Sequence, residues 1–189
     1  MSQTANEEAS SRRISLRPAS PSDKDFLLHV YGSTRQEEMA SWGWSLSQQS
    51  SFIRMQYEAR KHGYDASYPT SETSVISIGD APAGSIIVFR SPSEIRLVDV
   101  ALLPEFRNRG IGAEVIRMLV SEADDAGSAL RLSVLRSNHA RHLYERLGFV
   151  VKGGGEMYCE MEWVPLRRQP HGNDADTSPE KDPHAGKSE

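Results

Sequence analysis

Residues 103–112 read Leu-Pro-Glu-Phe-Arg-Asn-Arg-Gly-Ile-Gly and stand where an apolar run gives way to a helical pattern. A helix that opens directly after a strand and a turn presents backbone N–H groups with no intrahelical acceptor, at the positive end of its dipole. That combination suits a phosphate group. Gly110 and Gly112 put no side chain between a phosphate and the backbone. Arg107 and Arg109 add positive charge locally, in a chain whose formal net charge is −4. The same residues would also start an ordinary surface helix. Neither Gly-x-x-x-x-Gly-Lys-Ser/Thr nor Gly-x-Gly-x-x-Gly after a first strand is present, so the nucleotide-binding loops of those two classes do not apply.

A second chemical signal lies in Asn138-His-Ala-Arg-His-Leu-Tyr-Glu-Arg-Leu-Gly-Phe149. Asn138 is a helix N-cap residue, Gly148 a C-cap, and Ala140, Leu143, Tyr144 and Leu147 recur on one helical face. A tyrosine among leucines is commonly core, but its hydroxyl needs a partner, and a site from which a thiol departs can use a phenol as proton donor.

The elements that position these residues follow from periodicity and turn chemistry. Ile14–Pro18 reads as a short strand, and Ser20-Pro21-Ser22-Asp23 starts a helix carrying Phe26, Leu27, Val30 and Tyr31. A second helix is predicted from about Gln48 to His62, stopped by Gly63, with the non-periodic segment Arg35–Trp44 before it. Strands over 74–78, 85–90 and 95–103 form an antiparallel meander, with turns at Gly79–Pro82 and Ser91–Glu94. The helix 110–126 turns Ile111, Val115, Leu119 and Val120 inward, and the strand 130–134 completes a βαβ unit with the strand before it. After the helix 138–147, strands 149–152 and 157–163 make a final hairpin across Gly153-Gly-Gly155.

The 189 residues, 38% of them hydrophobic and 25% charged, suffice for one domain, set at 14–166. Residues 1–13 and 167–189 lack aromatic and branched aliphatic residues and are expected to be disordered tails. The acidic balance argues against nucleic acid as a partner. No apolar run of bilayer length and no signal sequence is seen, so no membrane partner is expected and the protein is placed in the cytoplasm. The single cysteine, Cys159, permits no intramolecular disulfide and reads as a small buried residue. His171 and His184 are far apart with no cluster of ligands around them, and no metal is expected.

With both segments read, the chain resembles the GCN5-related N-acetyltransferase (GNAT) superfamily over roughly Ile14 to Trp163. The family's Gln/Arg-x-x-Gly-x-Gly/Ala motif is matched by Arg107-Asn-Arg-Gly110-Ile-Gly112, and its Asn…Leu-Tyr-x-x-Leu-Gly-Phe signature by Asn138 and Leu143–Phe149. The resemblance implies an α/β fold: a mixed, mostly antiparallel seven-stranded sheet, splayed between strands 4 and 5 and flanked by four helices. It implies acetyl-CoA as co-substrate, with the pantetheine along Val100, Ala101 and Leu102 and the pyrophosphate on Arg107, Asn108, Arg109, Gly110, Ile111, Gly112 and Ala113. Asn138 would contact the pantetheine, and Tyr144 would protonate the departing thiolate.

The reaction implied is direct attack of a primary amine on the thioester, which requires a deprotonated, oriented amine and a proton for sulfur. Ser133 stands where some relatives carry a glutamate, five residues before the asparagine. Asp99, a carboxylate inside the apolar run Leu97–Leu103, is the candidate base; the alternative is an outward-facing or salt-bridged aspartate. Acceptor selection falls to the first two helices and their connection, with Glu37, Glu38, Trp42, Trp44, Gln56 and Tyr57 available there. A small-molecule amine and a protein amine both remain open as acceptor. So do a homodimer through Met157–Trp163 and an acyl-CoA-binding sensor with little turnover.

Overall fold

The computed structural model describes residues 13–165; the expected tails apart from Arg13, with His171 and His184, lie outside the described residues. Seven strands form one mixed sheet in the order β1-β2-β3-β4-β5-β7-β6: β1 Ile14–Pro18, β2 Glu72–Ile78, β3 Ala81–Arg90, β4 Glu94–Leu102, β5 Ala129–Leu135, β6 Val150–Gly153 and β7 Tyr158–Trp163. Neighbours are antiparallel except β4 and β5, which are parallel and joined by a helical crossover. The helices are α1 Lys24–Ser33, α2 Gln36–Ala40, α3 Leu46–Ser67, α4 Ile111–Asp125 and α5 Ala140–Arg146. None of these is long and apolar enough to cross a membrane.

Alternation along β3 assigns the faces, because successive side chains of a strand point to opposite sides. Ile86 and Val88 join the core cluster with Ile111, Val115, Ile116 and Leu119 of α4, whereas Ser85 and Ile87 line a cavity with residues of α1 and α3. Cys159 is fully buried in the α4 side of the core.

Two departures from regular pairing shape the centre of the sheet. Ile87 pairs with Asp99 and Val88 with Leu97, so Val98 is an extra residue in β4. The bulge inverts the alternation. Ile95 and Leu97 belong to the core, and beyond the bulge it is Val100 and Leu102 that pack against it, leaving Asp99 and Ala101 on the α1/α3 face. The second departure is that the β4–β5 ladder covers only Glu94–Leu97 against Ala129–Leu132. Past Leu97, β4 stays with β3 and β5 stays with β7, so the sheet opens. An ionic cluster closes the joined end: Glu94 accepts from Arg96 at 3.1 Å and from Arg131 at 2.7 Å, and Arg131 also binds Glu162 at 2.7 Å.

Three details differ from the sequence reading. Helix α3 runs through Gly63 to Ser67, since Tyr64 and Tyr68 continue its packing: Arg60 lies over the Tyr64 ring, and the Tyr68 amide donates to the Tyr64 carbonyl. A helical glycine disfavours the helix by only about 1 kcal/mol relative to alanine, which such packing offsets. The segment Arg35–Trp44 contains the additional short helix α2, anchored by buried Met39. Finally, β7 is paired on both sides, by β5 and β6, so the free edge of the sheet there is β6, with Val150 and Val151 exposed.

Candidate active site

Leu103 is buried and Pro104–Phe106 make a single 3-10 turn, after which the chain reverses into α4. The reversal needs left-handed backbone at two positions, Asn108 (φ 59°) and Gly110 (φ 81°). Asparagine and glycine are the residues that adopt it readily. Gly110 is the N-cap and has no side chain to satisfy the first amides of α4, which therefore start the helix without a side-chain cap. The Ile111 side chain is buried and pins this turn to the core, leaving its amide as its contribution. The Arg107 guanidinium donates to the Leu102 carbonyl at 2.8 Å and to the Ser33 carbonyl and hydroxyl at 3.3 and 3.2 Å. It therefore clasps the loop to the end of β4 and to α1.

A cleft of about 410 Å³ follows the opening in the sheet, and Val100, Ala101, Leu102, Arg107, Gly112, Asn138 and Tyr144 all line it. Arg109, Gly110 and Ile111 instead border a neighbouring cavity outside the loop, beside Arg117 and Glu114. Asn108 and Ala113 line neither, although both belong to the same turn. A Cβ on Gly112 would lie 4.0 Å from Leu102 and Leu143, inside the cleft, without straining the helix. The Asn138 side-chain oxygen accepts the Ala140 amide at 2.9 Å, so Asn138 caps α5 from two residues before its first residue.

Tyr144 is buried, tilted against Phe149 with ring centroids 5.7 Å apart. Burial first, and the Asp99 charge second, push its hydroxyl up to about 12, so it is protonated across the physiological range. Asp99 pairs with Arg60 of α3 at 2.5 Å. Desolvation raises the Asp99 carboxyl above its ordinary value, against the opposing pull of Arg60. The salt-bridged alternative for Asp99 is thus realised, on the face of β4 that carries Ala101; Asp99 itself lines neither the cleft nor the cavity that Arg60 lines. Ser133 is exposed, beyond the end of the parallel ladder, and pairs across to Glu160 of β7.

A second cavity, of about 210 Å³, lies between α1, α3 and strands β2–β4 and shares Ala101 with the cleft. Of the six residues expected to select an acceptor, only Tyr57 lines it. Trp42 and Trp44 form an aromatic cluster with Phe52, with centroids 4.7–5.4 Å apart, and Glu38 pairs with Arg35. Tyr31, which periodicity places on the apolar face of the first helix, also lines the cavity, as do Arg60 and Tyr64, which are not among the six expected residues. Their signal was the stripe Tyr57, Arg60, Tyr64 at helical spacing, which marks one face of α3.

A family model described as "Acetyltransferase (GNAT) family" matches residues 33–149. No curated protein sequence gives a significant match. Among solved structures, a PaiA N-acetyltransferase from Thermoplasma acidophilum in complex with coenzyme A is 21% identical, over 80% of this chain and 99% of that one, with a TM-score of 0.60. An acetyltransferase from Thermus thermophilus is 20% identical over 82% and 98%, with a TM-score of 0.59. A ribosomal L7/L12 alpha-N-protein acetyltransferase, in its apo form, is 16% identical over 82% and 92%, with a TM-score of 0.56. At these identities the likeness establishes a shared fold.

Proposed function

The chain belongs to the GNAT acetyltransferase family, and from that premise we propose that it is an N-acyltransferase moving an acetyl group from acetyl-CoA to a primary amine. One observation carries the reading: Gly112 at the uncapped start of α4, the freed residues Val100–Leu102 of β4, and Tyr144 line a single cleft. The residues present fit coenzyme A in kind. Uncapped helix amides suit its pyrophosphate, and a half-strand without a β5 partner offers backbone groups to the amides of its pantetheine arm. The amides of residues 108–113, with Arg109 beside them, would hold the first; Val100, Ala101, Leu102 and Asn138 would hold the second. Bound there, it supplies an activated acyl thioester.

The chain's own groups then divide the proton work. Tyr144 holds its phenolic proton at neutral pH, as a donor to a departing thiolate must. Asp99, on the opposite face beside the opening, accepts the proton that the amine must lose. Arg60 fixes that carboxylate in one orientation. Arg107 is assigned to shaping the loop by its clasp on Leu102 and Ser33, more than to contact with phosphate.

The test is release of free thiol from acetyl-CoA on addition of a panel of primary amines. Amine-dependent release, lost in Gly112→Glu, is expected. Acetyl-CoA binding with no release for any amine would replace this reading with that of a sensor.

A further inference from the structure

The cavity that meets the cleft at Ala101 has a composition that selects among amines. Arg60 lies 4.7 Å from the Tyr31 ring centroid and 5.3 Å from that of Tyr64, so its guanidinium is held by two aromatic faces as well as by Asp99. Among the described residues Arg60 makes that one hydrogen bond, leaving most of its five N–H donors unused on a side chain that lines the cavity. A preoriented guanidinium with free donors is the side chain best matched to a carboxylate. Its own partner, Asp99, stands behind the lining rather than on it, two residues before Ala101 on β4, and is a carboxylate matched to an ammonium. The two form a fixed plus–minus pair whose complement is a zwitterion.

Resting on the acyltransferase reading, we propose that the acceptor is a free α-amino acid with an uncharged apolar or aromatic side chain: its carboxylate on Arg60, its amine toward Asp99, and its side chain against Leu27, Tyr57 and Ile87. The cavity, at about 210 Å³, lies below the roughly 300–1,000 Å³ of pockets for drug-sized ligands, which suits a compact metabolite. A polyamine is disfavoured because the one carboxylate on the lining, Asp65, is already paired with Lys61 at 2.7 Å. A protein N-terminus is disfavoured because its first residue carries an amide where Arg60 calls for an anion. The Asp99 carboxyl, raised by desolvation, is suited to take up the amine's proton. The amino acid's ammonium loses one proton before attack, the N–C bond forms as the C–S bond breaks, and the nitrogen then sheds a second proton. One proton ends on sulfur and the other in solvent.

The experiment is thiol release from acetyl-CoA by the full chain, with four sets of acceptors: L-leucine, L-phenylalanine and L-tyrosine; their primary amides; tripeptides beginning with the same residues; and spermidine. The free amino acids are expected to be acylated, with kcat/KM falling about 10–150-fold for the amides, the range for losing a hydrogen bond to a charged group. Arg60→Gln should raise KM for the amino acid and abolish the preference over its amide, with acetyl-CoA affinity unchanged. The wild-type panel decides the matter even where that variant folds poorly. Amides, tripeptides or spermidine used as well as the free acids would overturn the proposal, as would acetyl-CoA binding with no thiol release in any set. Failure of acetyl-CoA to bind at all is a different outcome, which would remove the acyltransferase reading itself.

Discussion

Tyr144 and Asp99 are chemically unusual for the same reason, removal from water, and the consequences are opposite in use. Burial keeps the Tyr144 proton in place, with its pKa at about 12 against an ordinary 10. A group raised in the folded state contributes stability that is complete below its unfolded pKa and is lost as pH rises toward the folded one. Denaturant unfolding should therefore show a loss between about pH 10 and about pH 12 that is absent in Tyr144→Phe. The same variant should lower kcat by about 100-fold or more, the low end of general acid contributions, with acetyl-CoA affinity unaltered in titration. Asp99→Asn should lower kcat and remove the acidic limb of its pH profile; turnover within a few fold of wild type at every pH would dismiss Asp99 as the base. Both residues were legible in the sequence as polar groups inside apolar runs. Arg60 shows in the sequence only as a member of the stripe on α3, not as a site residue, because its partner lies 39 positions away on a strand.

At the level of elements, the decisive features are the loop before α4 and the bulge in β4. The loop could be read directly, since two glycines and an uncapped helix start leave a mark in composition. The bulge could not: nothing in Leu97-Val-Asp-Val-Ala-Leu-Leu103 says that Val98 is the extra residue. Without it Asp99 would follow Leu97 into the core. Close approach of β3 to β4 holds this region in register, for a Cβ on Gly84 would meet the Ala101 carbonyl at 2.2 Å. Gly84→Ala must displace the backbone along Ala101 and Leu102. It should destabilise the fold by about 1–3 kcal/mol in denaturant titration and raise KM for acetyl-CoA, whereas a substitution at exposed Gly63 should leave KM unchanged.

In the molecule as a whole, a sheet that must open at one end has to be fastened at the other. Glu94, between Arg96 and Arg131, does this across the one parallel pair among the described residues. Burial works to raise the Glu94 carboxyl, and the hydrogen bonds from Arg96 and Arg131 outweigh it, so its pKa falls below the ordinary 4.5. A lowered pKa means stability that is present above pH 4.5 and lost as pH falls further. Glu94→Gln should flatten that acid limb in unfolding measurements while lowering stability at neutral pH. The meander, the crossover and the last hairpin followed from pattern, whereas the insertion of β7 between β5 and β6 did not. The splay came only through resemblance, because where a ladder stops depends on side chains from strands far apart in sequence.

The central claim is that the opening in the sheet, ending at the start of α4, is a coenzyme A site. Isothermal titration of acetyl-CoA into the purified chain, with Gly112→Glu in parallel, tests it most directly. Saturable binding with one site per chain, lost when a carboxylate is placed at Gly112 in a variant that remains folded, is the expected result. Equal binding by both proteins, or no binding of acetyl-CoA to folded wild type, would contradict the account.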